Sequence, residues 1–219
     1  MSQVAQFSAN SRRLASTIHI ATFSRDRRML IPHNAALIII DVQQAIDHPK
    51  WARWGPRNNP QAEENIARLL AAWRTSQRPI FHVRHMSREP ESPYRPQQSG
   101  NEFKLQAMPL PQERIIEKST NSAFIGTTLE DDLHSAAIGV VIITGVITNN
   151  SVEATARMAG NLGFTTIVVA DATATFARPD FNGMLRSAED VHAMSLANLK
   201  DEYAAIMTTQ EVLQALLRM

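Results

Sequence analysis

The stretch Val140-Val141-Ile142-Ile143-Thr144, followed by Gly145-Val146-Ile147-Thr148-Asn149-Asn150 and Ser151-Val152-Glu153-Ala154-Thr155-Ala156-Arg157-Met158-Ala159, decides the fold. Its first five residues are all β-branched, which suits a strand covered on both faces. A tight turn follows, and residues 151–162 read as a helix. A side chain at the first turn of such a helix meets free backbone N–H groups and the positive end of the helix dipole. A thiol there would ionise readily and attack a carbonyl. This chain has Ser151 at that point and no cysteine anywhere. A hydroxyl keeps its proton unless a base removes it.

Outward from this unit the same alternation continues. Residues 35–40 are an apolar run ending at Asp41. Residues 60–76 carry Ile66, Leu69, Leu70 and Trp73 at helical spacing. Strands are expected at 79–84, at 114–118 ending on Lys118, at 165–170 and at 203–207. Thr127-x-x-Glu130 reads as a capping box opening a short helix through Ala137. Gly163 is placed to end the 151–162 helix in a left-handed cap. Ser187-x-x-Asp190 starts a helix over 187–199, and Thr208-x-x-Glu211 caps a last one. Strands alternating with helices, apolar on nearly every residue, predict an α/β fold: a doubly wound, parallel, six-stranded sheet with helices on both faces. Ligands of such sheets bind beyond the strand C-termini, where the strand order reverses. Residues 86–113 hold five prolines and little periodicity, the pattern of a lid or binding loop.

Composition narrows the classes. The 219 residues suit one domain with an extension, and 44% hydrophobic content fills a sizeable core. A net charge of +1 with no Lys/Arg cluster argues against nucleic acid as a partner. No apolar run approaches a membrane span. The absence of cysteine excludes a disulfide scaffold and thiolate zinc sites. A cytoplasmic location is expected. Residues 1–28 are rich in Ser, Ala and Arg with one acid, Asp26. That composition is shared with transit peptides, but it is read here as an N-terminal arm before a domain over 29–219. The arm is expected to contact another subunit of a homo-oligomer.

Asp41, Lys118 and Ser151 stand at predicted strand ends on one sheet edge: an acid, a cation and a hydroxyl. Singly, such residues cap turns or face solvent. Here they also carry a likeness. Leu37-Ile38-Ile39-Ile40-Asp41-Val42-Gln43, Lys118-Ser119-Thr120-Asn121-Ser122-Ala123-Phe124, Gly145 through Glu153, and Asp171-Ala172-Thr173-Ala174-Thr175-Phe176 resemble, in order and spacing, the motifs of the isochorismatase-like cysteine hydrolases.

The resemblance implies an Asp–Lys–Cys triad with Asp41 as general base and later acid. Lys118 would keep Asp41 ionised and favour the thiolate, and Ser151 would occupy the nucleophile position. It also implies a non-proline cis peptide at Val146–Ile147 and an oxyanion hole from the N–H groups of Ile147 and Ser151. The implied activity is hydrolysis of a small amide, carbamoyl or ureide substrate. Three readings of Ser151 stand open: a Cys→Ser change introduced by engineering, a natural serine variant, or chemistry without a nucleophile. In the last, Asp41 alone protonates a vinyl ether. A silent binding protein is the further alternative.

Gln43, Trp51, Trp54, Arg84, His85, Asn121 and Phe124 are the candidate substrate-binding residues, with Arg95 and Lys104 as further cations able to meet an anionic or amide-rich ligand. Asp47-His48 lies where related nicotinamidases begin a metal site. The matching histidine pair is missing around His82-Val83-Arg84-His85, so no metal and no cofactor is expected.

Overall fold

A computed structural model of the chain describes residues 30–217. The expectations for residues 1–28 lie outside the described residues.

In chain order the elements are β1 (Ala36–Ile40), α1 (Ala62–Thr75), β2 (Ile80–His85), β3 (Arg114–Lys118), α2 (Leu129–Ser135), β4 (Val140–Val146), α3 (Glu153–Asn161), β5 (Thr165–Ala174), the hairpin strands β6 (Arg178–Pro179) and β7 (Leu185–Arg186), α4 (Ala188–Leu199), β8 (Ala205–Met207) and α5 (Thr209–Leu216). Six strands form one sheet in the order β3-β2-β1-β4-β5-β8. Every pairing in it is parallel. The chain therefore builds one half outward from β1, returns to the middle, and builds the other half from β4. The order reverses between β1 and β4.

The side-chain period of two explains the layers. Ala36, Ile38 and Ile40 of β1 join Leu129 and Leu133 of α2, Ala156 and Ala159 of α3 and Leu199 of α4 in one core. Leu37 and Ile39 point the other way, to Ile66, Leu69, Leu70 and Trp73 of α1 and Val212 and Ala215 of α5. A strand with both faces covered must be apolar at every position, and all five β1 residues are buried.

The expected strands and helices are present, with local corrections. The Thr127–Glu130 capping box does not form. Thr127 Oγ1 donates to the Ala123 carbonyl and accepts from the Leu129 N–H, and Thr128 stands at the N-cap without a side-chain bond. The helix expected from Ser151 begins as a π-helical turn over Thr148–Val152 and becomes α-helical only at Glu153. β5 continues past Ala170 to Ala174, because it keeps pairing with Gly145 and Val146 after a register shift. Ser187 and Thr208 cap their helices as read, the latter in a complete capping box. Gly163 takes φ +88° after α3.

Candidate active site

Side chains from the ends of β1, β3 and β4 converge beside the point where the strand order reverses. β4 comes closest to β1 at Gly145, which pairs with Ile40. A Cβ on Gly145 would lie 2.1 Å from the Ile40 carbonyl oxygen, and its φ of +116° is open to glycine. This approach sets the turn carrying Ser151 beside the residue that follows β1. That residue, Asp41, takes φ +56°. Its N–H is bonded to the Val83 carbonyl, and its own carbonyl receives the Gln43 N–H and the Tyr94 hydroxyl. The left-handed conformation, tolerated by Asp, turns the chain sharply at the sheet edge.

The turn that leads from β4 to α3 includes a cis Val146–Ile147 peptide bond. It is held from α4: Ser195 Oγ donates to Glu153 Oε2 at 2.6 Å and approaches the Thr148 carbonyl at 3.3 Å, while His192 Nδ1 meets Thr148 Oγ1 at 2.9 Å. Burial holds the His192 imidazole below its ordinary value, so it stays neutral near pH 7.

Lys118 is the hub. Its Nζ lies 2.7 Å from Asp41 Oδ2, 3.2 Å from Ser151 Oγ and 3.1 Å from the Thr120 carbonyl. His85 Nδ1 is 3.4 Å away. The Lys118–Asp41 ion pair is buried, with the lysine side chain wholly enclosed. Asp41 Oδ1 is buried and has no hydrogen-bond partner among the described residues. Burial pushes the His85 imidazole down, the Asp41 charge opposing this and Lys118 reinforcing it. A neutral His85 can accept from Lys118. Tyr94, edge-on to His85 and to Trp51, is pushed well up by burial and stays a neutral phenol.

Asp41 and Ser151 open into a cavity of about 210 Å³. Its wall includes Trp51, His85, Asn121, Tyr94, Ile147 and Asn150. Trp51, His85 and Asn121 thus line it, and Trp54 lies on the wider pocket just outside. Other candidates do not. Gln43 is fully buried and spends its amide on His85 N–H and the carbonyls of His85 and Asn101. It ties β2 to the long loop. Phe124 is packed in the core, stacked on Phe164. Arg84 points to the opposite side of β2 from His85, over the Phe103 ring and toward Glu117. Lys104 is bound to Asp47 and Glu63, and Arg95 rests on the Pro90 carbonyl.

The possible metal ligands do not assemble either. Asp47 is engaged by Lys104, His48 Nδ1 accepts the Lys50 N–H, and His82 faces Glu113. Among the described residues no three His, Asp or Glu side chains converge as a metal site.

Sequence reasoning missed Lys50, Ser87, Ser92, Tyr94, Asn150 and Glu89, which also line the cavity. Four of these lie on the proline-rich loop, whose lack of period gives no face to read.

With this geometry in place, the relatives can be set beside it. The sequence profile described as the Isochorismatase domain matches residues 35–211. The chain is 44% identical to the isochorismatase family protein YrdC of Bacillus subtilis, over 81% of this chain and 94% of YrdC. The crystal structure of an isochorismatase-family hydrolase from Chromobacterium violaceum superposes with a TM-score of 0.82 at 49% identity, covering 86% of this chain and 96% of that one. Nicotinamidase 3 of Arabidopsis thaliana is 34% identical over 48% of each chain. The chain belongs to the isochorismatase family of hydrolases.

Proposed function

We propose that this hydrolase cleaves small, non-peptide C–N bonds in an amide, carbamoyl or ureide substrate, using Asp41, Lys118 and residue 151. The observation that carries the reading is the Lys118 ammonium bridging the Asp41 carboxylate and the residue-151 side chain, at 2.7 and 3.2 Å, where both of those residues line a cavity. The amide named for the Arabidopsis relative supports the same class of bond.

In this reading residue 151 attacks the carbonyl carbon. Asp41 takes the proton released and passes it to the leaving nitrogen as the C–N bond breaks. Water then attacks the acyl group, and the carboxylic acid leaves. The N–H groups of Ile147 and Ser151 are the proposed donors to the oxyanion. Lys118 reaches the Ser151 hydroxyl as a donor, an arrangement that stabilises a thiolate but does not deprotonate a hydroxyl. The chain with Ser151 is therefore expected to be slow.

Ser151→Cys is the test. On a panel of small primary amides, ureides and carbamoyl compounds it should raise kcat/KM by on the order of 10²-fold or more, because loss of one such catalytic group costs powers of ten. Asp41→Asn should abolish turnover in either background.

One observation favours a second reading. Asp41 Oδ1 lies buried beside the cavity with no hydrogen-bond partner among the described residues, and the Lys118 ammonium paired with Asp41 holds a proton to give. Vinyl-ether hydrolysis needs only that proton. Turnover of a vinyl ether by the chain as it stands, with no gain on any amide from Ser151→Cys, would put this reading in place of the first.

A further inference from the structure

β2 and β3 lie side by side in a register that pairs His85 with Lys118 and Arg84 with Glu117. Successive side chains on a strand alternate between faces, so the two pairs take opposite sides of the sheet. Arg84 reaches Glu117 at 3.6 Å on one side. On the other, His85 Nδ1 stands 3.4 Å from Lys118 Nζ. The His85 backbone is pinned independently of its ring. Its N–H donates to Gln43 Oε1 at 2.7 Å, and its carbonyl accepts from the Asn101 amide at 2.8 Å. The strand register therefore sets the imidazole beside the ammonium.

An ammonium has three protons to donate. Among the described residues, four acceptors surround Lys118 Nζ: Asp41 Oδ2 at 2.7 Å, the Thr120 carbonyl at 3.1 Å, Ser151 Oγ at 3.2 Å and His85 Nδ1 at 3.4 Å. The Asp41 carboxylate, charged and nearest, holds one proton. The Thr120 carbonyl takes a second. Ser151 and His85 are left to share the third. Burial lowers the His85 imidazole, so near neutral pH the ring is uncharged and one of its nitrogens accepts. Beside an ammonium that nitrogen is Nδ1, and the ring proton sits on Nε2.

We propose that His85 is a positioning residue that competes with residue 151 for the third proton of Lys118. While residue 151 is neutral, the N–H points to Nδ1 and the enclosed ammonium keeps every donor partnered. When negative charge develops on residue 151, the same N–H turns to it, because the bond to a charged acceptor is the stronger. No proton leaves the lysine in this exchange. His85 thus withholds part of the help that Lys118 gives to the charged form of residue 151. This rests on residue 151 being the attacking group, as proposed above.

Ser151→Cys supplies the probe, a thiol titrated by its alkylation rate against pH. Two changes are set on that background. His85→Asn offers an amide oxygen where Nδ1 stood, and His85→Leu offers no acceptor. Both side chains are uncharged at every pH, so the difference between them reads the acceptor. The midpoint with leucine should lie below that with asparagine by about half a unit or more, roughly threefold in thiolate, the scale of one hydrogen bond. A leucine acting only by excluding water would move it up instead. Equal midpoints, or a higher one with leucine, overturn the inference. Ring nitrogen-15 shifts, assigned by their loss in His85→Asn, should report the Nε2–H tautomer in the chain as it stands. A proton on Nδ1 overturns it equally.

The two proposals fail separately. A depressed thiol midpoint that is the same with asparagine and leucine leaves the hydrolase reading and removes the role of His85. A midpoint lowered by leucine, in a Ser151→Cys chain that turns over no amide, ureide or carbamoyl compound, leaves the His85 contact and removes the C–N chemistry.

Discussion

Asp41 leaves β1 in the left-handed region, buried, and paired at 2.7 Å with a lysine that has no exposure of its own. A buried ion pair is weak evidence of stability, since desolvation offsets much of the attraction, but removing one partner strands the other. Asp41→Asn should therefore cost about 3–5 kcal/mol of stability as well as activity. Lys118→Met, which removes the stranded charge, should restore part of that loss when combined with it. Urea denaturation of both single variants and the double variant measures this, and additive losses would show that the pair is not coupled. The acid, the cation and the residue-151 position were all legible from three strand ends and short motifs. Gln43 and Phe124 each sit in a motif, but their side chains are buried away from the cavity and support the motif from behind. Only packing reveals which side of a loop a side chain takes.

Among the elements, β4 fits tightly against β1 at Gly145. With the Ile40 backbone within 2.1 Å of any added Cβ, Gly145→Ala must push the strands apart. Overpacking of this kind costs roughly 1–3 kcal/mol. Here the displacement falls between Asp41 and Ser151, so activity should fall more than stability. A variant with full kcat/KM and an unchanged denaturation midpoint would contradict that geometry. The central strands β1 and β4 could be read because both sheet faces are covered there and their sequences are apolar almost without a break, whereas the edge strand β3 is mostly exposed and carries only Ile115 and Ile116 as apolar residues. The 86–113 loop could not. Its order comes from side chains bonding to backbone, such as Asn101 to the carbonyls of His85 and Tyr94, and these bonds leave no periodic trace.

Across the whole molecule, Glu113 ties the end of that loop to two elements. It accepts from both nitrogens of the Arg74 fork on α1, from the Leu110 N–H, and meets His82 on β2 at 2.8 Å. Burial raises its carboxyl, but the hydrogen bonds from Arg74, Leu110 and His82 outweigh this and hold it at about 2. A carboxyl depressed in the folded state contributes its stability fully above the unfolded value of about 4.3 and loses it as pH falls toward 2. His82 adds to this in acid. Burial keeps its folded value low against the pull of Glu113, so the unfolded chain gains protons first as pH drops below about 6.5. Glu113→Gln should lower the melting temperature at pH 7 and flatten its fall between pH 4.5 and 2. An unchanged acid profile would contradict the assignment.

The molecule also exposes apolar side chains at the β6–β7 hairpin, with Phe181 97% exposed and Met184 and Leu185 exposed beside it in sequence. A homo-oligomer is expected through this face. Sedimentation at micromolar concentration should show it, and Phe181→Ser should lower its order. A monomer in both cases would contradict it. No helix among the described residues is long and apolar enough to cross a membrane.

The central claim is that the side chain at position 151 sits where a thiol would be an ionised nucleophile beside the Lys118 ammonium. The chain has no cysteine, so Ser151→Cys installs a single reporter. The rate of its alkylation by iodoacetamide, followed against pH, titrates that thiol with no need of a substrate. The account predicts a midpoint well below the free-thiol value of about 8.5, moved back up when Lys118 is also changed to Met or Gln. A midpoint at or above about 8.5, indifferent to Lys118, would contradict it.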